Sequence, residues 1–175
     1  MSTFFLDQAT AKRYYIRRAF TYGDVQYTKA GATRDTFNQL GFVEVQIQER
    51  PDDRFYIVSG PEDTGAYNAT PRDLDDLKAY YLQQVDTEQG QLLGCCDWMV
   101  TRKAETGQGL APEWQQYRDT VRLTGPQRQD QINQCTTVAE LEALLTTPAE
   151  VADEDGAVVV NTDPHLVPWP EQPTT

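Results

Sequence analysis

From Arg13 to Tyr22 the side chains alternate, with Tyr14, Ile16, Phe20 and Tyr22 on one side and Arg13, Tyr15, Arg17 and Thr21 on the other, the period of a strand. Gly23-Asp24 puts glycine first in a two-residue turn, so Val25 to Thr28 is expected to return antiparallel as a hairpin. Thr33 is placed to cap a short helix carrying Phe37 and Leu40, with Gly41 as its left-handed stop. Alternation resumes at Val43, Val45 and Ile47, and Pro51-Asp52-Asp53 turns the chain into a further strand from Arg54 to Val58. Residues 1–69 thus read as a small antiparallel, β-rich α+β unit.

Beyond the turn-forming stretch 60–70 the period lengthens. Thr70-Pro71-Arg72-Asp73 offers a cap, a first-turn proline and an acid at the positive helix end. Leu74, Leu77, Tyr81, Val85, Leu92, Cys96 and Met99 then recur at helical steps, predicting one long helix, bent at Gly90 or Gly94 and stopped by Gly107 and Gly109. Pro112 opens a second helix with Trp114, Tyr117 and Val121 on one face, and Gly125-Pro126 is expected to end it. A third runs to about Gln134, and Thr137 with Glu140 forms a capping box for a fourth bearing Val138, Leu141, Leu144 and Leu145. Residues 70–146 are therefore a helical hairpin with short extra helices, and the fold class is α+β.

Charge and proline content set off the rest. Residues 147–175 hold no Lys or Arg, six Asp or Glu, and half of the chain's 10 prolines, the composition of an extended acidic arm. Over all 175 residues, 15 basic against 27 acidic side chains leave a net charge of -12, which opposes a phosphate backbone and disfavours nucleic acid as a partner. There is no apolar run near the ~20 residues of a membrane helix, and the N-terminus has no basic residue ahead of an apolar stretch, so neither membrane insertion nor secretion is expected.

Chemistry is sparse. Three cysteines and one histidine make no spaced zinc set, and the neighbours Cys95 and Cys96 point about 100° apart on a helix, so they read as small buried apolar residues. His165 has no serine or cysteine nucleophile near it in sequence, Gly107-Gln108-Gly109 lacks the third glycine of a dinucleotide loop, and residues 152–156 lack the spaced oxygens of a calcium loop. No catalytic residue, metal site or cofactor is expected. Lys12 to Arg18 interleaves bases with aromatics, which reads as a sheet strand with charged flanks or a protein-facing strip more readily than a nucleic-acid surface.

The stretch from Cys95 to Arg122 holds Asp97-Trp98, Arg102 with Ala104-Glu105-Thr106-Gly107, Pro112, and Trp114 with Tyr117-Arg118. With residues 135–145 and the terminal Trp169-Pro170, it resembles the C-terminal region of bacteriophage tail fibre assembly proteins, the tail assembly chaperone family. The resemblance spans about residues 71–145 plus the Trp-Pro. It implies a non-enzymatic protein that binds phage tail fibre or baseplate proteins, acting in the host cytoplasm during assembly and staying in the virion tail if it remains attached, where it could form an oligomer. A permanent structural role in baseplate or fibre, without chaperone duty, is the alternative.

Partner-binding candidates on this reading are Trp98, Trp114, Tyr117 and Arg118, large rings and a forked donor. The competing reading makes the two indoles part of the hairpin's own core. In the arm, the run 157–160 with Val159 at its centre could add a strand to a partner's sheet edge, with Trp169 as anchor.

Overall fold

The computed structural model describes residues 3–152, 158–161 and 164–174, and the chain divides into two compact units, Met1–Thr70 and Pro71–Thr175. The first unit opens on β1 (Thr3–Asp7), which pairs antiparallel with β2 (Lys12–Tyr14) on one side and β5 (Val43–Gln46) on the other. Between them lie the hairpin of β3 (Phe20–Tyr22) and β4 (Val25–Tyr27) and the helix α1 (Arg34–Gln39). A second two-stranded sheet joins β6 (Tyr56–Ser59) to β7 (Asn68–Pro71).

Aromatic rings fill this unit. Phe5, Tyr14, Phe37 and Phe42 are buried together, with Phe20 and Tyr22 packed against them. Phe5 stacks on Phe37 at 4.6 Å and Tyr14 on Phe42 at 4.8 Å between centroids, distances at which offset rings attract. Thr33 caps α1, its hydroxyl accepting from the Thr36 amide, and Gly41 takes the positive φ that follows the helix. Gly65 is required by space as well as conformation: at φ +81 a Cβ would lie 2.0 Å from the Gln46 carbonyl oxygen.

The strand expected from Arg13 to Tyr22 is two strands. Arg17 turns the chain with φ +60 and donates its amide to the Ala32 carbonyl, so the break brings Tyr14 and Phe20 together at 5.1 Å and leaves Tyr15 and Ile16 outside.

The second unit begins with α2 (Leu74–Gly94). Its N-cap is Asp73, whose carboxylate accepts from the Asp76 amide; the expected cap, Thr70, belongs to β7 instead. The long helix does not continue to Gly107. It stops at Gly94, turns through Cys95 and Cys96, and restarts as α3 (Asp97–Thr106), which ends on Gly107 at φ +73. Then α4 (Pro112–Gln134) runs unbroken through Gly125-Pro126, so the two helices expected there are one. Pro126 leaves the Arg122 carbonyl without its helical partner, but both residues are exposed, and water serves a carbonyl on an outward face.

Thr137 and Glu140 make the capping box of α5 (Val138–Thr146). Bonds from the Thr136 backbone and hydroxyl, with the Thr137 amide, hold the Glu140 carboxyl below its usual pKa. A three-residue hairpin of β8 (Glu150–Ala152) and β9 (Val158–Val160) follows, and the extended run 164–174 lies back on the helices. The acidic arm is thus not a third unit. Its prolines forbid a helix, and Leu166, Val167 and Trp169 are covered by the second unit itself. Among the described residues no helix is long and apolar enough to cross a membrane.

Candidate functional site

The break between α2 and α3 organises the second unit. Cys96 is fully buried there with Tyr117 and Val121, and Leu92, Leu93, Met99, Trp114 and Trp169 pack against them. Arg118 reaches in from α4: Nη1 donates to the Leu93 carbonyl at 3.0 Å and to Cys96 Sγ at 3.0 Å, and Nη2 meets Asp97 Oδ1 at 2.8 Å. Burial works against the charge, yet the bonds to Cys96 and Asp97 outweigh it and hold the guanidinium pKa above its ordinary value. The Leu93 carbonyl, near the end of α2, also accepts from the Cys96 amide at 3.2 Å, so Arg118 is a second donor to it and ties α4 to the turn.

Tyr117 and Arg118, selected as partner-binding, are therefore interior residues, 3% and 5% exposed, whose contacts tie α4 to the α2–α3 turn. Trp114 is half-buried, edge-on to Tyr117 at 5.8 Å. Trp98 is different. Its ring is 55% exposed, so it is not core, and it lines a cavity of about 300 Å³ with Trp114, Met99, Arg102, Leu110 and Glu113. Trp98 and Met99 come from α3, Leu110 from the linker and Trp114 from the first turn of α4. The left-handed stop at Gly107 and the proline start at Pro112 fix the spacing of these walls.

The arm residues are placed otherwise than expected. Val159, 39% exposed, pairs with Val151 in its own hairpin, so one of its edges is already used within the chain. The Trp169 indole donates to Glu88 Oε2 at 2.7 Å and lies under the Arg128 guanidinium at 4.7 Å; as placed it anchors the arm to its own helices. The run also engages Gln131 and the end of α5. Nothing local in the sequence marks Glu88, Arg128 and Gln131, because their partners in the run lie 34 to 81 residues away along the chain.

The cysteines are poorly suited to nucleophilic work. Of the two neighbours expected to be buried, Cys96 is and Cys95 is exposed, because the chain turns there; partial desolvation and the neighbouring Cys96 still push the Cys95 thiol pKa up, and burial does the same at Cys135, opposite to the activated thiolate. Among the described residues no three His, Cys, Asp or Glu side chains group as metal ligands, and most of the run 152–156 lies outside those residues. No protein-family model matches the chain, nor does any curated protein or solved structure.

Proposed function

We propose that the protein binds tail fibre polypeptide of a phage as an assembly chaperone or adaptor, without enzymatic activity, and works in the host cytoplasm. The fibre as partner rests on the ordered motif from Asp97-Trp98 to Tyr117-Arg118. The site rests on one observation: a tryptophan more than half exposed, Trp98, lining a cavity together with Trp114, Met99 and Leu110. Rings so placed supply contact area at low entropy cost, and aromatic residues in partly formed pockets are common anchors of binding energy. The occupant is an apolar segment of the fibre, with Arg102 and Glu113 among the lining residues to orient it.

Co-expression of the full chain with the fibre polypeptide of the same phage tests this. Trp98→Ala should reduce co-purified fibre about tenfold, the equivalent of ~1.4 kcal/mol, without lowering the melting temperature, because the ring is largely outside the core. Undiminished capture by a folded Trp98→Ala chain would overturn the reading.

A further inference from the structure

The way residues 165–172 are held amounts to a recognition site. Gln131 on α4 grips the main chain twice: its Nε2 donates to the His165 carbonyl at 3.0 Å and its Oε1 accepts from the Val167 amide at 2.9 Å. Those two groups flank Leu166, and in a parallel ladder one residue bonds the same two groups of its neighbour. Gln131 thus stands in for a strand. The Leu166 amide donates to the Leu144 carbonyl at 3.0 Å, and Arg128 Nη1 donates to the Val167 carbonyl at 2.7 Å. Beyond Pro168, Glu88 takes the indole N–H of Trp169 while Arg128, paired to Glu88 at 3.3 Å, covers the ring. Backbone gripping followed by a side-chain pocket is how extended peptides are read, and prolines on either side hold the segment extended in advance.

The tether is weak where the segment is strong. Residues 147–163 connect α5 to the segment, and their described pairing is one short hairpin, three residue pairs between β8 and β9 extended by the bonds of Asn161 to the Ala149 and Pro148 carbonyls, and a two-stranded hairpin is marginal alone. Opened, 17 residues span up to about 55 Å.

We propose that Glu88, Arg128, Gln131 and the Leu144 carbonyl form a receptor for an extended Leu-Val-Pro-Trp segment, and that a second copy of this chain supplies that segment in trans by exchange of residues 164–174. The complementarity is already displayed within one chain, and exchanging an identical element needs no new contact. Within one chain the local concentration of the segment is of millimolar order, so exchange is visible only where the internal pairing is disabled. The proposal does not depend on the fibre reading.

Two full-length variants separate receptor from segment. Trp169→Ala keeps the receptor and spoils the segment; Glu88→Ala combined with Gln131→Ala keeps the segment and spoils the receptor. Tagged Trp169→Ala should retain the untagged receptor variant at least about tenfold better than either variant retains itself, the ~1.4 kcal/mol of one good anchor, and a synthetic peptide of residues 164–174 should displace it. Equal retention in all pairings, or none in the mixed one, would overturn exchange. Should Trp169→Ala unfold, Leu166→Pro removes the amide that bonds Leu144 and leaves the indole, and the same mixing applies.

Discussion

Arg118 shows how a side chain can carry the wrong signal. A guanidinium beside a tyrosine on an amphipathic helix reads as a surface donor, since charged residues are seldom buried without partners. Its partners here, the Leu93 carbonyl, the Cys96 thiol and the Asp97 carboxylate, are brought together at the break between α2 and α3. The break falls directly after Gly94, one of the two glycines at which a bend is expected, but a glycine marks a bend and does not show that the chain turns there and restarts as a new helix against which Arg118 is buried. Arg118→Ala should cost about 2–4 kcal/mol in urea unfolding followed by tryptophan fluorescence, mostly from lost packing and the two buried hydrogen bonds to Leu93 and Cys96. The ion pair adds little, because Asp97 is 62% exposed. Arg118→Lys, a single donor point instead of a fork, should fall between. A loss below ~0.5 kcal/mol for the alanine variant, the usual size for a surface substitution, would contradict the interior role.

The capped elements were the legible ones. Thr33 with Gly41, Thr137 with Glu140, Gly107 and Pro112 each placed a helix end where the structure has it, because caps act through neighbours in sequence. The α4 helix departs from the pattern for the opposite reason: Gly125-Pro126 is a local stop that tertiary packing overrides. Gly125 lets the Gln89 side chain reach the Val121 carbonyl at 3.0 Å; a Cβ there would lie 2.3 Å from Gln89 Nε2. Two terms then compete in Gly125→Ala. Helix propensity favours alanine by about 1 kcal/mol, and displacing Gln89 forfeits a hydrogen bond of about the same size. The variant should be near neutral in the wild-type chain yet stabilising by about 0.5–1 kcal/mol in a Gln89→Ala background, a coupling that a double-mutant cycle measures. Equal effects in both backgrounds would mean that Gln89 does not hold α4.

Only the second unit carries tryptophans and a strap, the terminal run 164–174 that lies on its own helices. All three tryptophans fall after Thr70, so tryptophan fluorescence reports on the second unit alone. In the sequence this run reads as an acidic arm anchored to a partner by Trp169, because its apolar residues are sparse and follow no helical or strand period that would reveal a docking face on its own chain. Yet Leu166, Val167 and Trp169 are half-buried and Glu171 is exposed, the distribution of a segment that closes a core. Deleting residues 164–175 removes the indole from the cluster around Cys96, the cover of Arg128 and four backbone contacts, while sparing every cap of α2 to α5. Partial burial of one tryptophan and two aliphatic side chains is worth about 2–4 kcal/mol by apolar area, less what the shortened chain no longer loses in entropy. At ~4 °C or more per kcal/mol for a unit of this size, the fluorescence-detected melting temperature should fall by at least about 5 °C with the transition still cooperative. An unchanged transition would mean that the strap rests on the helices without contributing to them, and Glu88, Arg128 and Gln131 would then be surface residues that happen to meet it.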